Sequence, residues 1–392
     1  MINKTELSQL AAQCLLERNR VSQLFFQNEA LRLAQASQKM AERFLSGGKL
    51  LAFGQGPYIT DAQHVSVEFV HPVIVGKRAL PALDISMAFR PWLEALLTPE
   101  DIVMGFGPPE GEPEIHNALA FARSRGALTF WLPGSEGDYA VASPSTHPFI
   151  HQEMMETLYH TLWETVHVFF EHHQLGHEVG EAGFLYPFLG QAKQNTASVV
   201  EQVAASILVK AQDDEQLRNQ VALQHAETIA GAVLAIRERV SQGGKLIAFG
   251  NGGSATDAND FVLDCVAPPF GWTRVPAVSL SFEPANISAI ANDIGTEVVF
   301  LRQLIAQAQP QDVVVAISTS GGSANVVVAL EEARKQCLPT VAFLGYDGGL
   351  AVQRGLCDFP VVVPSAYIPR IQEVQASVYH VLRELLEIYV QD

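Results

Sequence analysis

Positive charge is what this chain has least of. Its 392 residues carry 25 Lys and Arg against 42 Asp and Glu, a formal charge of −17. A protein that wraps a polyanion needs a basic footprint to release counterions, so no nucleic-acid partner is expected. Small anions remain possible ligands, because a few local donors suffice to hold one. Long apolar runs are also missing. None reaches the eighteen or so residues needed to cross a bilayer, and no membrane partner is expected. The opening MINKTELSQLAAQ has no cationic stretch ahead of an apolar core, so no signal peptide is expected. Cysteines are few: Cys14, Cys265, Cys337 and Cys357, with no CxxC or other ligand spacing. They read as buried thiols in a reducing, cytoplasmic compartment.

What is present is repetition. Apolar residues make up 48% of a chain too long for one ordinary core, so two domains are expected. GGKLLAFGQGPYITDAQH (Gly47 to His64) and GGKLIAFGNGGSATDAND (Gly243 to Asp260) match without a slip of register. After a shift of one residue, ALPALDIS (Ala79 to Ser86) pairs with RVPAVSLS (Arg274 to Ser281). DIVMGF (Asp101 to Phe106) then pairs with DVVVAI (Asp312 to Ile317), and ALTFWL (Ala127 to Leu132) with PTVAFL (Pro339 to Leu344). Such runs alternate with helical patterns like NVVVALEEARKQ (Asn325 to Gln336), the mark of βαβ units in a parallel sheet covered on both faces. The expected fold class is α/β: two three-layer αβα sandwiches, each with N-terminal helices.

Helical prefaces are expected over Thr5 to Ser46 and Asn195 to Gln242, with closing helices near Ile150 to His173 and Ile368 to Val390. The pattern places a first domain at 1–175, a linker at 176–194 and a second domain at 195–392. The linker's clustered aromatics in GHEVGEAGFLYPFLGQ (Gly176 to Gln191) read as a plug docked on one domain. The copies are unequal, for Pro81 to Asp101 is much shorter than Pro276 to Asp312. The first copy lacks a counterpart of ISAIANDIGTEVVFLRQL (Ile287 to Leu304).

Two loops of the second copy suit an anion. DVVVAI runs into STSGGSAN (Ser318 to Asn325) and then a helix, and GNGGSATDA (Gly250 to Ala258) follows the first strand in the same way. Glycines let the backbone approach, hydroxyls donate, and a helix N-terminus favours negative charge. In a parallel sheet both loops fall at the carboxyl edge, where ligands bind. Neither is a Walker A or GxGxxG pattern, so no nucleotide cofactor is expected. Taken singly, each is also an ordinary turn sequence. The first copy has GFGPPEGEPE (Gly105 to Glu114) in that place, where prolines remove amide donors and Glu110, Glu112 and Glu114 repel an anion.

The first copy has a different asset. His64 and Glu68 are spaced i,i+4 on the helix after its first loop, and Gln152 and His160 share a face of the closing helix. These are plausible ligands for zinc or a similar divalent ion, or a general base and acid. Alone, a His/Glu pair at that spacing is usually a solvated helix face. The second copy has Asp260, Asp264, Gln372 and His380 at the same positions. Seven of the twelve histidines crowd between His147 and His177, which raises a second metal site. His167, His172, His173 and His177 instead read as the exposed end of a helix, where imidazole complements the dipole.

Together these residues resemble the SIS (sugar isomerase) family, in particular its phosphoheptose isomerase branch. GNGGSATDA, IANDIG (Ile290 to Gly295), FLRQL (Phe300 to Leu304), ISTSGGSANV (Ile317 to Val326), LGYDGG (Leu344 to Gly349) and RIQEVQASVYH (Arg370 to His380) follow the family pattern in order. In the first copy, DAQHVSVE (Asp61 to Glu68) and HQEMMETLYH (His151 to His160) do so. The resemblance implies flavodoxin-like SIS domains and phosphate contacts at Asn251, Ser254, Ser318, Thr319, Ser320 and Ser323. It implies catalytic groups at Glu68 and His160, with His380 as the second copy's histidine. It implies a divalent metal, zinc by preference, at His64, Glu68, Gln152 and His160, with a weaker set at Asp260, Asp264, Gln372 and His380.

The implied activity is aldose–ketose isomerisation of a sugar phosphate through an enediol. The implied arrangement is an internal pseudo-dimer, further assembled as a homodimer, whose site combines the second copy's cradle with the first copy's acid/base groups. The rival reading is a non-catalytic sugar-phosphate-binding or adaptor protein.

Overall fold

The computed structural model describes residues 3–73, 77–173 and 196–390. By contact the chain divides into two units, one of residues 20–213 and one of residues 1–19 with 214–392. Residues 1–19, written into the first domain on the sequence, thus belong to the second unit. The linker at 176–194 and its aromatic plug lie outside the described residues.

In the unit of residues 20–213, β1 (Leu50–Gly54), β2 (Ala82–Asp84), β3 (Ile102–Phe106), β4 (Leu128–Leu132) and β5 (Tyr139–Ala140) form one sheet. The order is β2-β1-β3-β4-β5 and every pairing is parallel. Strand side chains alternate between faces, and that alternation sorts the core into two halves. Leu50, Ile102 and Phe130 pack with α1 (Lys4–Leu45), α2 (Ile59–Val70) and α5 (Pro148–His173) through Leu33, Val65 and Leu158. Leu51, Val103 and Trp131 pack on the opposite face. Their partners there are Leu93 of α3 (Phe89–Leu96) and Leu119 of α4 (Pro113–Ser124). Helices on both faces make three layers.

The other unit repeats the plan. Its strands are β6 (Leu246–Phe249), β7 (Ala277–Ser279), β8 (Val313–Ser318), β9 (Thr340–Gly345) and β10 (Phe359–Val363). They form a parallel sheet in the order β10-β9-β8-β6-β7, the same order counted from the first strand. One face carries α6 (Thr196–Ser241), α7 (Gly253–Val266) and the closing helix, through Val233, Phe261 and Leu382. The other carries α8 (Pro284–Asp293), α9 (Val299–Gln307), α10 (Ala324–Lys335) and α11 (Gly349–Gln353). The closing helix is α12 (Ile368–Val390). The segment without a counterpart in the first copy supplies α8 and α9, where residues 20–213 have only α3.

The expected strands and helices are present, with ends shifted by up to three residues. The sequence pattern missed the fifth strand of each sheet. β5 has only two residues, and β10 contains Pro360, which an edge strand tolerates because one row of its amides has no ladder partner. The cysteine expectation needs correction: Cys265 is buried, Cys14 and Cys357 are half-buried, and Cys337 is exposed. Burial pushes the Cys265 thiol up to about 12, so it is inert as a nucleophile. Among the described residues, no helix is long and apolar enough to cross a membrane.

Candidate functional site

In the unit of residues 1–19 and 214–392, the chain leaves β6 for β7 on one side and continues to β8 on the other. The carboxyl ends of β6 and β8 therefore frame the switch point, where a sheet of this kind opens a crevice. The loop after β6 enters α7 through Gly250, whose absent Cβ would lie 2.2 Å from the Ser254 carbonyl oxygen. The loop after β8 turns at Gly321, with φ of 59°, and a Cβ there would lie 2.1 Å from the Gly348 carbonyl oxygen. The Ala351 amide donates to the Gly321 carbonyl at 3.0 Å and fixes this approach. Asn251 and Asn325 tie the two loops by exchanging amide hydrogen bonds of 2.9 Å each way.

The hydroxyls of this crevice are set to donate. The Gly321 amide gives its proton to Ser318 Oγ (3.1 Å), and the Gly322 amide to Ser320 Oγ (3.2 Å). A hydroxyl that accepts in this way keeps its own proton for a ligand. Ser323 stands at the N-cap position of α10 without a side-chain capping bond, and that helix's positive end faces the same space. Ser318 and Ser254 are buried, Thr319 and Ser323 half-buried, and Ser320 and Asn251 exposed. All six residues named from the sequence sit on these two loops or the first turn of α7. Asn325 joins them, and the sequence reading passed over it as part of a helix start.

The corresponding edge of residues 20–213 is built otherwise. The Gly107 amide is taken by the Leu132 carbonyl (3.0 Å) and the Gly111 amide by the Pro108 carbonyl (2.7 Å). Gln55 Nε2 bridges to Glu114 Oε2 at 3.3 Å, so a carboxylate stands where the other unit has Asn325. On this edge, two loop amides are already taken by backbone carbonyls.

Beneath it lies a buried cluster between α2 and α5. His64 Nε2 and His160 Nε2 face each other at 3.3 Å, and Glu68 Oε1 lies 3.8 Å from His64 Nε2. All three residues are at most 2% exposed, so the i,i+4 pair is not a solvated face. Glu156 adds a carboxylate: ligand atoms of His64, Glu156 and His160 lie within 4.8 Å of one another. Gln152 points its amide nitrogen elsewhere, to Asp61 Oδ2 (3.1 Å) and Thr60 Oγ1 (3.3 Å). His64, Glu68 and His160 stand in one cluster, and the Gln152 amide nitrogen donates to the start of α2. Glu156 was missed, although it stands i+4 from Gln152 and i−4 from His160.

The other unit has an analogous cluster from α7 and α12. His380 Nε2 lies 3.2 Å from Asp264 Oδ2 and 3.4 Å from Asp260 Oδ2. Tyr379 donates its hydroxyl to Asp260 Oδ2 at 2.9 Å. Burial, reinforced by the Asp260 charge and opposed by His380, pushes the Asp264 carboxyl up to about 7. A carboxyl that changes state near neutrality can both give and take a proton. Gln372 is buried two turns before His380 on α12.

Two more histidines of α5, His151 and His167, are held by local hydrogen bonds. His167 is not an exposed helix end. It is buried, with ring nitrogens 2.9 Å from the Trp163 carbonyl and 3.1 Å from the Arg78 carbonyl. The side chains of His172, His173 and His177 lie outside the described residues. His151 sets its ring nitrogens against Ser143 Oγ (2.9 Å) and the Gly107 carbonyl (3.1 Å), and burial pulls its pKa down to about 4.

The SIS domain pattern matches residues 211–345, the stretch that contains both cradle loops. The phosphoheptose isomerase of Trichlorobacter lovleyi is 42% identical over 181 residues, covering 44% of this chain and 91% of that protein. The chain belongs to the phosphoheptose isomerase family of SIS-domain proteins. A second phosphoheptose isomerase of this family, from Citrifermentans bemidjiense, is 40% identical over 183 residues, 46% of this chain and 94% of its own length. The C-terminal domain of glucosamine-fructose-6-phosphate aminotransferase from Francisella tularensis covers 96% of this chain and 95% of itself. Its TM-score is 0.59 at 8% identity, a likeness of fold. The SIS-type fold therefore extends over both units, including the one the family pattern leaves unmatched.

Proposed function

We propose that the chain is a phosphosugar isomerase, interconverting aldose and ketose forms of a sedoheptulose 7-phosphate-like substrate in the cytoplasm. The observation that carries this reading is the pair of loops at the β6/β8 switch point, tied through Asn251 and Asn325 and lined with donor hydroxyls. The names of the relatives supply the substrate class. Asn251, Ser254, Ser318, Thr319, Ser320 and Ser323 hold the phosphate and leave the open-chain sugar extended from the crevice. For isomerisation by way of an enediol, Glu68 as the base and His160 as the group that exchanges protons with the oxygens are the acid/base pair of the unit of residues 20–213. In the other unit His380 and Asp264 offer the same exchange, with Asp264 poised near neutrality.

The buried imidazoles and carboxylates suit a divalent ion such as zinc, at His64, Glu68, Gln152 and His160, with Asp260, Asp264, Gln372 and His380 the counterpart set. Bound there, such an ion supplies Lewis acidity toward a carbonyl. Assembly of the chain into a homodimer belongs to the same reading.

The test is Glu68→Gln, assayed with sedoheptulose 7-phosphate. Turnover should fall by roughly 10²–10⁴, the usual worth of a positioned general base, while sugar-phosphate affinity stays the same. Unchanged turnover in that variant would rule out this role for Glu68. A second reading, sugar-phosphate binding without catalysis, is favoured by the paired Asp260–His380–Asp264 cluster and the carboxylates on the Gly105 to Glu114 loop. Tight binding by the parent protein with no turnover would select it.

A further inference from the structure

We infer that the amino-terminal edge of the β6–β10 sheet holds a binding site for a free acidic amino acid, apart from the sugar-phosphate crevice. Helix α10 runs from one place to the other. Ser323 at its N-cap position belongs to the crevice, and Arg334 stands in its last turn, roughly 16 Å along the axis.

A cavity of about 460 Å³ opens where α6 and α10 end and β9 and β10 begin, a size that takes a small ligand. Its lining brings together Glu238, Arg239, Arg334, Cys337, Asp358 and Phe359. Local hydrogen bonds hold these groups in place. The Thr340 amide and hydroxyl both donate to Asp358 Oδ2, at 2.9 and 3.0 Å. Arg239 Nη1 donates to the Pro310 carbonyl at 2.9 Å, and Arg334 Nη1 to the Gly355 carbonyl. A guanidinium has five N–H donors, so each arginine keeps others for a ligand. Glu238 is different: among the described residues its carboxylate has no hydrogen-bond or ion-pair partner. At the same station the other unit has Glu42, whose carboxylate accepts from the Gln38 amide at 3.0 Å, and Leu234 stands here in place of Gln38.

The mixture of charges selects the ligand. A polyanion would meet Glu238, and a polyamine would meet two guanidinium groups. Asp358 already has two donors on one oxygen, which leaves two arginines against one uncommitted carboxylate. An acidic amino acid is the complement, with two carboxylates and one ammonium. The planar fork of arginine suits a carboxylate. The ammonium pairs with Glu238, where the carbonyl ends of α6 and α10 add negative potential. The methylenes between lie on the Phe359 ring.

Cys337 reports occupancy. It is exposed and lines the cavity, so its alkylation by iodoacetamide, read on the full chain by peptide mass spectrometry, should slow when the cavity fills. About 10 mM L-glutamate should slow it about fivefold, the mass-action result for a dissociation constant of about 2.5 mM. Glutarate, the same dicarboxylate without the ammonium, and putrescine, which has no carboxylate, should leave the rate unchanged at equal ionic strength. Glu238→Gln alters an exposed side chain, so it should fold and label as the parent does while losing the glutamate protection. No protection of the parent by L-glutamate, equal protection by glutarate, or full protection in Glu238→Gln would overturn the inference. So would protection by sedoheptulose 7-phosphate, which would make the cavity a second place for the sugar phosphate.

Discussion

Lys49 and Lys245 perform one task in two places. Each reaches back to an aspartate at the head of the third strand of its sheet, Lys49 Nζ to Asp101 at 2.7 Å and Lys245 Nζ to Asp312 at 2.5 Å. The Thr129 amide donates to Asp138 at 3.0 Å, and the Thr340 amide to Asp358 at 2.9 Å. Gly54 and Gly250 leave the same space, where a Cβ would meet a carbonyl oxygen at 2.0 Å and 2.2 Å. At these places, where a side chain closes a backbone hydrogen bond or its absence makes room for the chain, the units agree. They part at the positions of the proposed phosphate loops, Asn325 against Glu114 among them. That difference has a physical basis: an unpaired buried polar group costs about 1–3 kcal/mol of folding stability, whereas a ligand-facing group costs the fold almost nothing to replace.

The largest expected effect comes from forcing one unit's cradle to fail while the other edge is altered as a control. In Gly321→Ala the new Cβ meets the Gly348 carbonyl at 2.1 Å with φ at 59°, so the Ser318 to Ser323 loop must move. Losing two hydrogen bonds to a charged phosphate, at about 1.5–3 kcal/mol each, should weaken sugar-phosphate binding by roughly 10² or more. Gly111→Ala, at φ of 80° with His116 as neighbour, strains the other unit's loop and should leave binding unchanged. Titration with sedoheptulose 7-phosphate separates the two. Equal losses would mean that the phosphate is not held by the β6/β8 loops alone.

The same contrast explains what the sequence disclosed. Leu50, Val103 and Phe343 lie in strands whose every residue is buried, and such runs are legible because burial on both faces selects apolar residues throughout. The two glycine-rich loops were legible because close backbone approach selects a residue type. Glu156 was not. Its place beside His64 and His160 depends on α2 and α5 meeting, and in sequence it is one more acidic residue on a helix. The turn of Gln152 toward Asp61 and the pairing of Asn251 with Asn325 likewise need the third dimension. Burial of His64 and Glu68 is invisible in an i,i+4 spacing, which a solvated helix shares. The short edge strands escaped because two residues at Tyr139–Ala140, or a run holding Pro360, carry no period to detect.

A smaller effect should appear on acidification. His151 is held near pKa 4 against an ordinary 6.5, because its burial disfavours the imidazolium. Folding therefore keeps it neutral. Its contribution to stability is whole above pH 6.5 and drains away as pH falls from 6.5 toward 4, by about 3 kcal/mol in the limit. At this station the other unit has Ile371, which cannot titrate. His151→Ile copies that unit and should flatten the acid limb of a melting-temperature profile between pH 6.5 and 4. Its constant cost is the lost bonds to Ser143 and Gly107. An acid limb of unchanged slope would show that His151 is not the group responsible.

The smallest expected effect tests the bridge between the loops. Asn251 and Asn325 exchange two neutral hydrogen bonds near the surface, worth about 0.5–1.5 kcal/mol each before water competes. Asn251→Ala and Asn325→Ala should each weaken sugar-phosphate binding by roughly two- to tenfold. The double variant should be little worse than either single one, because the first substitution already frees the loops. Gln55→Ala breaks the matching bridge to Glu114 in the other unit and should leave sugar-phosphate binding unchanged. If the two asparagine variants prove strictly additive, each side chain contacts the phosphate on its own account, and the amide pair is an incidental contact of the ligand-free crevice.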